Sequence, residues 1–145
     1  MAIIPARLES QRLFKKPLQL IQGKPLIVHV AEEVQKTGVF EQVYIATDSN
    51  EVMDLFKEHS AKAIMTSVDH QSGTDRINEA ASKIEEDFDT IFNIQGDEPF
   101  VYGEDLKFLK SSLEEGFKMS SLYEEIKSSD VSDPNKVKVI LDNNK

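Results

Sequence analysis

Four cations and one hydroxyl group lie within ten residues near the start of the chain, just after a short apolar run. They are Arg7, Ser10, Arg12, Lys15 and Lys16. A triphosphate needs several fixed cations, and loop backbone N–H groups add further donors. The segment contains no glycine, so it is neither a Walker A loop nor a dinucleotide fingerprint. It predicts a local anion site, with a solvated basic loop as the alternative.

A second candidate segment reads Gln-Gly-Asp-Glu-Pro at residues 95–99 and follows an apolar run at residues 91–94. Gly96 would let the backbone approach a ligand closely. Asp97 is placed to hold a hard cation such as Mg²⁺, through one carboxylate plus phosphate oxygens of a substrate. The alternative is an ordinary turn in which Asp97 is a turn residue and Pro99 stops the strand.

A third segment, residues 70–76, places Ser72, Gly73 and Thr74 before a predicted helix. Their hydroxyl and N–H groups could bind an anion or the edge of a base. The alternative is that Thr74 simply caps the helix. The sequence favours a structural role for His70. The three histidines share no metal-ligand spacing, which argues against a zinc site. The absence of cysteine removes disulfides, thiolate metal sites and cysteine nucleophiles.

Alternating apolar segments predict the elements that position these groups. Short runs predict strands at residues 2–4, 43–46, 63–65 and 91–94, the first of them ended by Pro5. Helical spacing predicts helices at residues 26–34, 52–56, 77–84 and 106–113, with Pro25, Asn50, Gly38 and Gly116 at their ends. The alternation predicts an α/β fold with a mostly parallel sheet and helices on both faces. Residues 119–126 and 137–141 are further strand candidates, around a loop at 128–136.

Ligands of open parallel sheets bind outside the carboxyl ends of the strands. Four polar segments leave the predicted strands at that end: residues 5–16, 47–48, 66–76 and 95–99. We therefore expect the three candidate segments to meet at one edge of the sheet.

Composition limits the classes of partner. The 145 residues favour a single domain, and the net charge of −9 argues against a nucleic-acid or anionic-membrane binder. Residues 1–24 carry a net +4, so the other 121 residues carry −13, which suggests a local anion site more than a global one. On charge alone, a solvated basic loop is the favoured interpretation. No apolar run is long enough to span a membrane, and no secretory signal is visible, so a cytoplasmic location is expected.

Several motifs together resemble the 3-deoxy-manno-octulosonate (Kdo) cytidylyltransferase family. Residues 5–18 resemble its opening P-A-R-x-x-S-x-R-L-P-G-K-P-L. Its motifs A-T-D, H-x-S-G-T-[DE]-R, Q-G-D-E-P and P-N-x-V-K-V are matched in order at residues 46–48, 70–76, 95–99 and 134–139. The similarity extends over residues 3–142, which is nearly the whole chain.

The resemblance implies a Rossmann-like nucleotidyltransferase fold and Mg²⁺-dependent transfer of CMP from CTP to Kdo. The anomeric hydroxyl of Kdo would attack the α-phosphorus, giving CMP-Kdo for lipopolysaccharide synthesis and releasing pyrophosphate. The implied nucleotide-binding residues are Ala6, Arg7, Ser10, Arg12, Lys16, Ser72, Gly73, Thr74, Arg76 and Gln95. Arg7, Lys16 and Asp97 would be catalytic, with Asp97 also binding Mg²⁺.

The chain departs from the family opening at Phe14 and Lys15, where the motif has Pro-Gly. If that glycine serves a positive φ, Lys15 is strained; alternatively, Lys15 adds another cation facing the phosphates.

The family also continues past residue 145, where a second Mg²⁺-binding aspartate, much of the Kdo pocket and the contacts of a homodimer would lie. Residues 1–145 are thus expected to form one α/β domain, incomplete at its carboxyl end, that binds CTP but turns over poorly. The alternatives are a cytidylyltransferase for another 2-keto sugar acid, such as 8-amino-Kdo or a sialic-acid-like acid, and a nucleotide-binding module without turnover.

Overall fold

The structure is a computed structural model that describes residues 1–8, 13–114, 116–134 and 136–141. It divides into two compact units, Met1–Gly103 and Glu104–Lys145. The predicted site residues Ser10 and Arg12 lie outside the described residues. Within the described residues, no helix has the combination of length and apolar character that crossing a bilayer requires.

The first unit alternates strands and helices, as the sequence pattern predicts. In chain order it contains β1 (Ala2–Ala6), a 3₁₀ turn (Lys16–Leu18), β2 (Leu20–Ile21), β3 (Lys24–Pro25), α1 (Leu26–Lys36), β4 (Val43–Thr47), α2 (Asn50–Leu55), β5 (Lys62–Met65), α3 (Gly73–Ser82) and β6 (Phe92–Asn93). Strands β2 and β3 form a small antiparallel hairpin. The other four strands form one sheet in the order β5-β4-β1-β6, and every pair in it is parallel. The predicted α/β class with a mostly parallel sheet is therefore confirmed.

Both faces of the central strands are buried because consecutive residues of β1 and β4 are apolar and point to opposite faces. Ile3, Tyr44 and Ala46 form one cluster with the apolar side of α3. Ile4 and Ile45 point to the other face, where α1 packs against β4, and both are fully buried. At about 25 cal/mol per Å² of apolar surface, burial of such side chains supplies most of the stabilisation of the sheet.

The first strand is longer than predicted. Pro5 was expected to end it, yet β1 continues to Ala6 and pairs with β4 at every position. A proline lacks the N–H that a central strand needs for its second neighbour. Here β6 pairs only with Ala2 and Ile3, so nothing on that side requires an N–H from Pro5.

The helix ends refine two predictions. Ser49, rather than Asn50, caps α2, and its hydroxyl accepts from the Val52 amide. Ser72, rather than Thr74, caps α3 and accepts from the Asp75 amide at 3.1 Å. In both helices the serine precedes the expected cap and reaches the N–H three residues later.

The second unit holds α4 (Gly103–Glu114), which begins at the boundary, and a 3₁₀ turn (Ser128–Asp130). The predicted strands at residues 119–126 and 137–141 are wrong, since neither segment forms a strand. Within the described residues no neighbouring strand pairs with them, and Val137 and Ile140 are 94% and 95% exposed. An apolar run becomes a strand only where a partner accepts its hydrogen bonds.

Candidate functional site

A cavity of about 390 Å³ opens at the carboxyl edge of the parallel sheet, within the first unit. Three of the four predicted segments form its walls: the chain after β1, the start of α3 and the turn after β6. Its lining residues are Pro5, Ala6, Arg7, Lys16, Pro17, Ser72, Gly73, Arg76, Gln95, Gly96 and Asp97. The predicted convergence of these segments at one edge is therefore observed.

Eight of the eleven predicted site residues line this cavity, so the motifs of the first unit meet at one place. They are Ala6, Arg7, Lys16, Ser72, Gly73, Arg76, Gln95 and Asp97. Thr74 lies in the first turn of α3 but does not line the cavity. Pro5 and Pro17, to which the sequence gave no binding role, also line it, as does Gly96, where a close approach to a ligand is expected.

Two cations face the cavity from the chain after β1. Arg7 is exposed and forms no ion pair with any residue in the described part of the chain. The ammonium of Lys16 pairs with the carboxylate of Asp97, and both side chains are more than a third exposed. Exposed pairs contribute little to stability, on the order of 0–1 kcal/mol, so an arriving anion or cation can separate this one at small cost.

Lys15 resolves the departure from the family opening. Its φ of 48° and ψ of 42° lie in the left-handed region, which is the conformation that a glycine would adopt there without strain. Its ammonium pairs with Glu51 on α2, and the residue does not line the cavity. Lys15 therefore occupies a glycine-favouring position, and in this structure its ammonium contacts Glu51 and not the cavity.

Packing against β1 requires a glycine at position 96. A Cβ at this position would lie 2.6 Å from the carbonyl oxygen of Pro5, far closer than side chains tolerate. The turn after β6 therefore approaches β1 directly, which brings Gln95 and Asp97 to the cavity wall. The close approach observed at Gly96 is to the backbone of Pro5, and the approach to a ligand stays a prediction.

The amino end of α3 forms the opposite wall. Ser72 caps the helix and also donates to the Asp75 carboxylate at 2.6 Å. Gly73 follows it and lies against Pro5, where an added Cβ would be 3.2 Å from the proline ring. The first amides of a helix have no partner within the helix and carry a partial positive charge, which suits an anionic or polar ligand group.

Arg76 lines the cavity but is 2% exposed, and its guanidinium is engaged by the protein. Nη2 donates to Asp48 Oδ2 at 2.7 Å, and Nη1 donates to Thr66 Oγ1 at 2.6 Å. The Thr66 hydroxyl in turn donates to the carbonyl of Thr47 at 3.0 Å. The sequence assigned no role to Asp48 or Thr66, although an arginine beside Ile77 on an apolar helix face signals a buried acidic partner.

Among the described residues that line the cavity, Asp97 is the one with a carboxylate. The described residues, those around Asp97 included, contain no group of three or more potential protein ligands for a metal ion. A hard cation such as Mg²⁺ needs only one or two carboxylates when substrate phosphates complete its coordination. The Lys16 ammonium pairs with this carboxylate, so a metal ion at Asp97 would have to displace it.

Glu79 on α3 fixes the loop that leads to Ser72. Its Oε1 accepts from Lys83 at 2.6 Å, and its Oε2 accepts from the Ser67 amide at 2.9 Å and contacts His70 Nε2. The Lys83 ammonium first, and then the Ser67 amide and His70, lower the pKa of Glu79 to about 2. His70 thus has a structural partner, as the sequence predicts.

Glu79→Gln is expected to make the protein less stable at pH 7 and to flatten its acid denaturation profile. Since the folded pKa of Glu79 is lowered, its stabilisation is complete above the ordinary value of 4.5 and disappears as the pH falls from about 4.5 to about 2. Urea unfolding at pH 7 and pH 3 measures this difference. The control is Glu58→Gln, at an exposed position with no ion pair among the described residues. An equal acid slope in wild type and Glu79→Gln would contradict the assignment.

A family model described as Cytidylyltransferase matches residues 1–145. Curated relatives named 3-deoxy-manno-octulosonate cytidylyltransferase include a Wolinella succinogenes protein, 43% identical over 150 residues. That alignment covers 99% of this chain and 60% of the relative. A Francisella tularensis protein of the same name is 44% identical over 146 residues, covering 98% and 58%. The chain therefore spans about three fifths of the length of these relatives.

A solved structure of CMP:2-keto-3-deoxy-manno-octonic acid synthetase in complex with CTP is 41% identical, with a TM-score of 0.71. The match covers 79% of this chain and 47% of that one. The bifunctional IspDF of Campylobacter jejuni has a TM-score of 0.63 at 14% identity, covering 84% and 34%, which shows a shared fold alone. The resemblance and the nucleotidyltransferase fold predicted from the sequence are thus confirmed.

Proposed function

The chain belongs to the cytidylyltransferase family, and from that premise we propose that it serves the transfer of CMP from CTP to Kdo. In the proposed reaction the anomeric hydroxyl of Kdo attacks the α-phosphorus of CTP, and pyrophosphate leaves. CTP as donor is supported by the complex of the similar solved structure, and Kdo as acceptor by the names of the relatives. The product would feed lipopolysaccharide synthesis. A cytoplasmic location and a homodimer remain predictions.

The observation that carries the proposal is the composition of the cavity. Arg7 and Lys16, the amino end of α3 and the carboxylate of Asp97 surround a volume of about 390 Å³. Ligand sites of small molecules typically measure about 300–1,000 Å³, so a nucleotide is of suitable size. Two cations and a helix amino end match a polyphosphate, and one carboxylate matches the metal that accompanies it.

Nucleotidyl transfer depends on positioning and charge neutralisation more than on a covalent partner. In our proposal Arg7 and Lys16 bind the phosphates of CTP, while Ser72, Gly73 and Gln95 contact the cytidine. Asp97 would hold Mg²⁺, which supplies neutralisation of phosphate charge when it is bound. Lys16 would leave Asp97 and turn to the phosphates as the nucleotide arrives.

The nucleotide specificity tests this proposal. The protein is heated with CTP, UTP, ATP or GTP, each with and without Mg²⁺, and its melting temperature is recorded. Ligand at about 100 times Kd adds about 2.7 kcal/mol to the unfolding free energy, which raises Tm by several degrees. We expect this rise with CTP and Mg²⁺, and a clearly smaller one with the other three nucleotides.

A second measurement addresses the acceptor. Pyrophosphate release is followed with CTP, Mg²⁺ and one acceptor at a time: Kdo, 8-amino-Kdo or a sialic acid. The assayed protein contains this chain and has the full length of the relatives. Kdo is expected to give the fastest release. No Tm shift with any nucleotide would contradict nucleotide binding, whereas a CTP shift without Kdo preference would contradict only the acceptor.

A further inference from the structure

The carboxylate of Asp48 contacts two of the segments that form the cavity walls. Asp48 follows β4 and is 10% exposed. Its Oδ2 accepts from Arg76 on α3 at 2.7 Å, and its Oδ1 accepts from the backbone N–H of Leu8 at 3.3 Å. Leu8 directly follows Arg7, which lines the cavity. Asp48, 40 residues beyond Leu8, thus connects the segment that carries Arg7 to α3.

We propose that Asp48 is a positioning residue for the polyphosphate of the nucleotide, acting through Leu8 and Arg7. The inference rests on the proposed function, because it assumes that Arg7 meets the phosphates. Its chemistry differs from that of Asp97, since Asp48 does not line the cavity and its charge is matched by Arg76. Asp48 would fix the distance between the chain after β1 and the amino end of α3.

Burial makes this link rigid. Arg76 is 2% exposed and is held by a second bond from Nη1 to Thr66 Oγ1, so it cannot move without leaving a buried charge unmatched. Each oxygen of Asp48 accepts from its own donor, the Leu8 amide in the chain after β1 or the Arg76 guanidinium on α3. A displaced Asp48 would thus break one bond or the other.

Asp48→Asn separates this role from a general contribution to stability. Asparagine has one oxygen acceptor and one N–H₂ donor at the tip of its side chain. If the oxygen faces Arg76, the N–H₂ group faces the Leu8 amide, and two donors then oppose each other. The variant therefore keeps the shape of the residue but cannot satisfy both partners.

The experiment measures binding to the purified 145-residue chain by calorimetry, with CTP, inorganic triphosphate and cytidine as ligands. Asp48→Asn is expected to weaken CTP and inorganic triphosphate binding about tenfold, the usual effect of losing one contact to a charged group, and to change cytidine binding less than about twofold. The matched control is Val34→Ala, which removes buried volume from α1 and lowers stability without touching this network. It should leave all three affinities unchanged.

Amide hydrogen exchange at Leu8 gives a readout that needs no ligand. Asp48→Asn is expected to accelerate exchange at Leu8, whereas Val34→Ala should not do so selectively. If Asp48→Asn does not fold, the same two measurements on Arg76→Lys, which keeps the charge but not the paired geometry, decide the question.

Unchanged Leu8 exchange, or equal losses for triphosphate and cytidine, would overturn the inference. Failure of the wild-type chain to bind CTP or triphosphate would overturn the proposed function instead, and Leu8 exchange would still decide whether Asp48 positions this segment.

Discussion

Lys16→Met is expected to weaken CTP binding by roughly ten- to a hundredfold while changing CMP binding by less than about threefold. A hydrogen bond to a charged group is worth about 1.5–3 kcal/mol, and 1.4 kcal/mol corresponds to a factor of ten. Methionine keeps the length and apolar stem of lysine and removes only the ammonium. The loss should appear with CTP alone because Lys16 is proposed to face the β- or γ-phosphate. Isothermal calorimetry with both nucleotides measures the difference.

The neighbouring lysine supplies the matched control. Lys15 differs from Lys16 in place but not in charge, since it pairs with Glu51 and does not line the cavity. Lys15→Met should therefore leave CTP affinity within about twofold of wild type, the effect expected of an exposed charge. A large loss in Lys15→Met would mean that net charge, rather than a contact, governs binding. Equal losses of CTP and CMP in Lys16→Met would place Lys16 away from the distal phosphates.

The strands that carry the site were predictable where short apolar runs alternate with segments of helical spacing. Residues 43–46 and 63–65 are apolar runs between helical segments, and they form β4 and β5. The extension of β1 through Pro5 was not predictable, because it depends on how few residues β6 pairs with. The exposed apolar residues at 137–141 show the same limit, since a strand requires a partner that its own sequence does not reveal.

The cavity walls were predictable for a different reason. In a parallel sheet the carboxyl ends of all strands share one edge, so polar segments after the strands must meet there. The ion pair between Asp48 and Arg76 was not predictable, because the two residues are 28 positions apart and their pairing depends on the orientation of α3. The left-handed conformation of Lys15 was partly predictable. The family motif has glycine at this position, but it does not show which conformation a lysine adopts there.

Asp97→Asn is expected to abolish the enhancement of CTP binding by Mg²⁺ while preserving the fold. Asparagine keeps the shape of the side chain but lacks the charge that a hard cation needs. Metal-free CTP binding should hold or become slightly tighter, because Lys16 loses its carboxylate partner and its ammonium is then available to the phosphates. CTP titrations with Mg²⁺ and with EDTA, together with a urea unfolding curve, measure both effects.

The adjacent residue again provides the control for Asp97. Glu98 carries the same charge one position further along, is exposed and does not line the cavity. Glu98→Gln should retain the full effect of Mg²⁺ on CTP binding. A loss in this variant would mean that the overall negative charge of the turn, rather than a contact at Asp97, attracts the metal. An unchanged Mg²⁺ effect in Asp97→Asn would remove Asp97 from the metal site. Weaker metal-free binding in Asp97→Asn would mean that the Lys16–Asp97 pair orients Lys16 toward the nucleotide rather than competing with it.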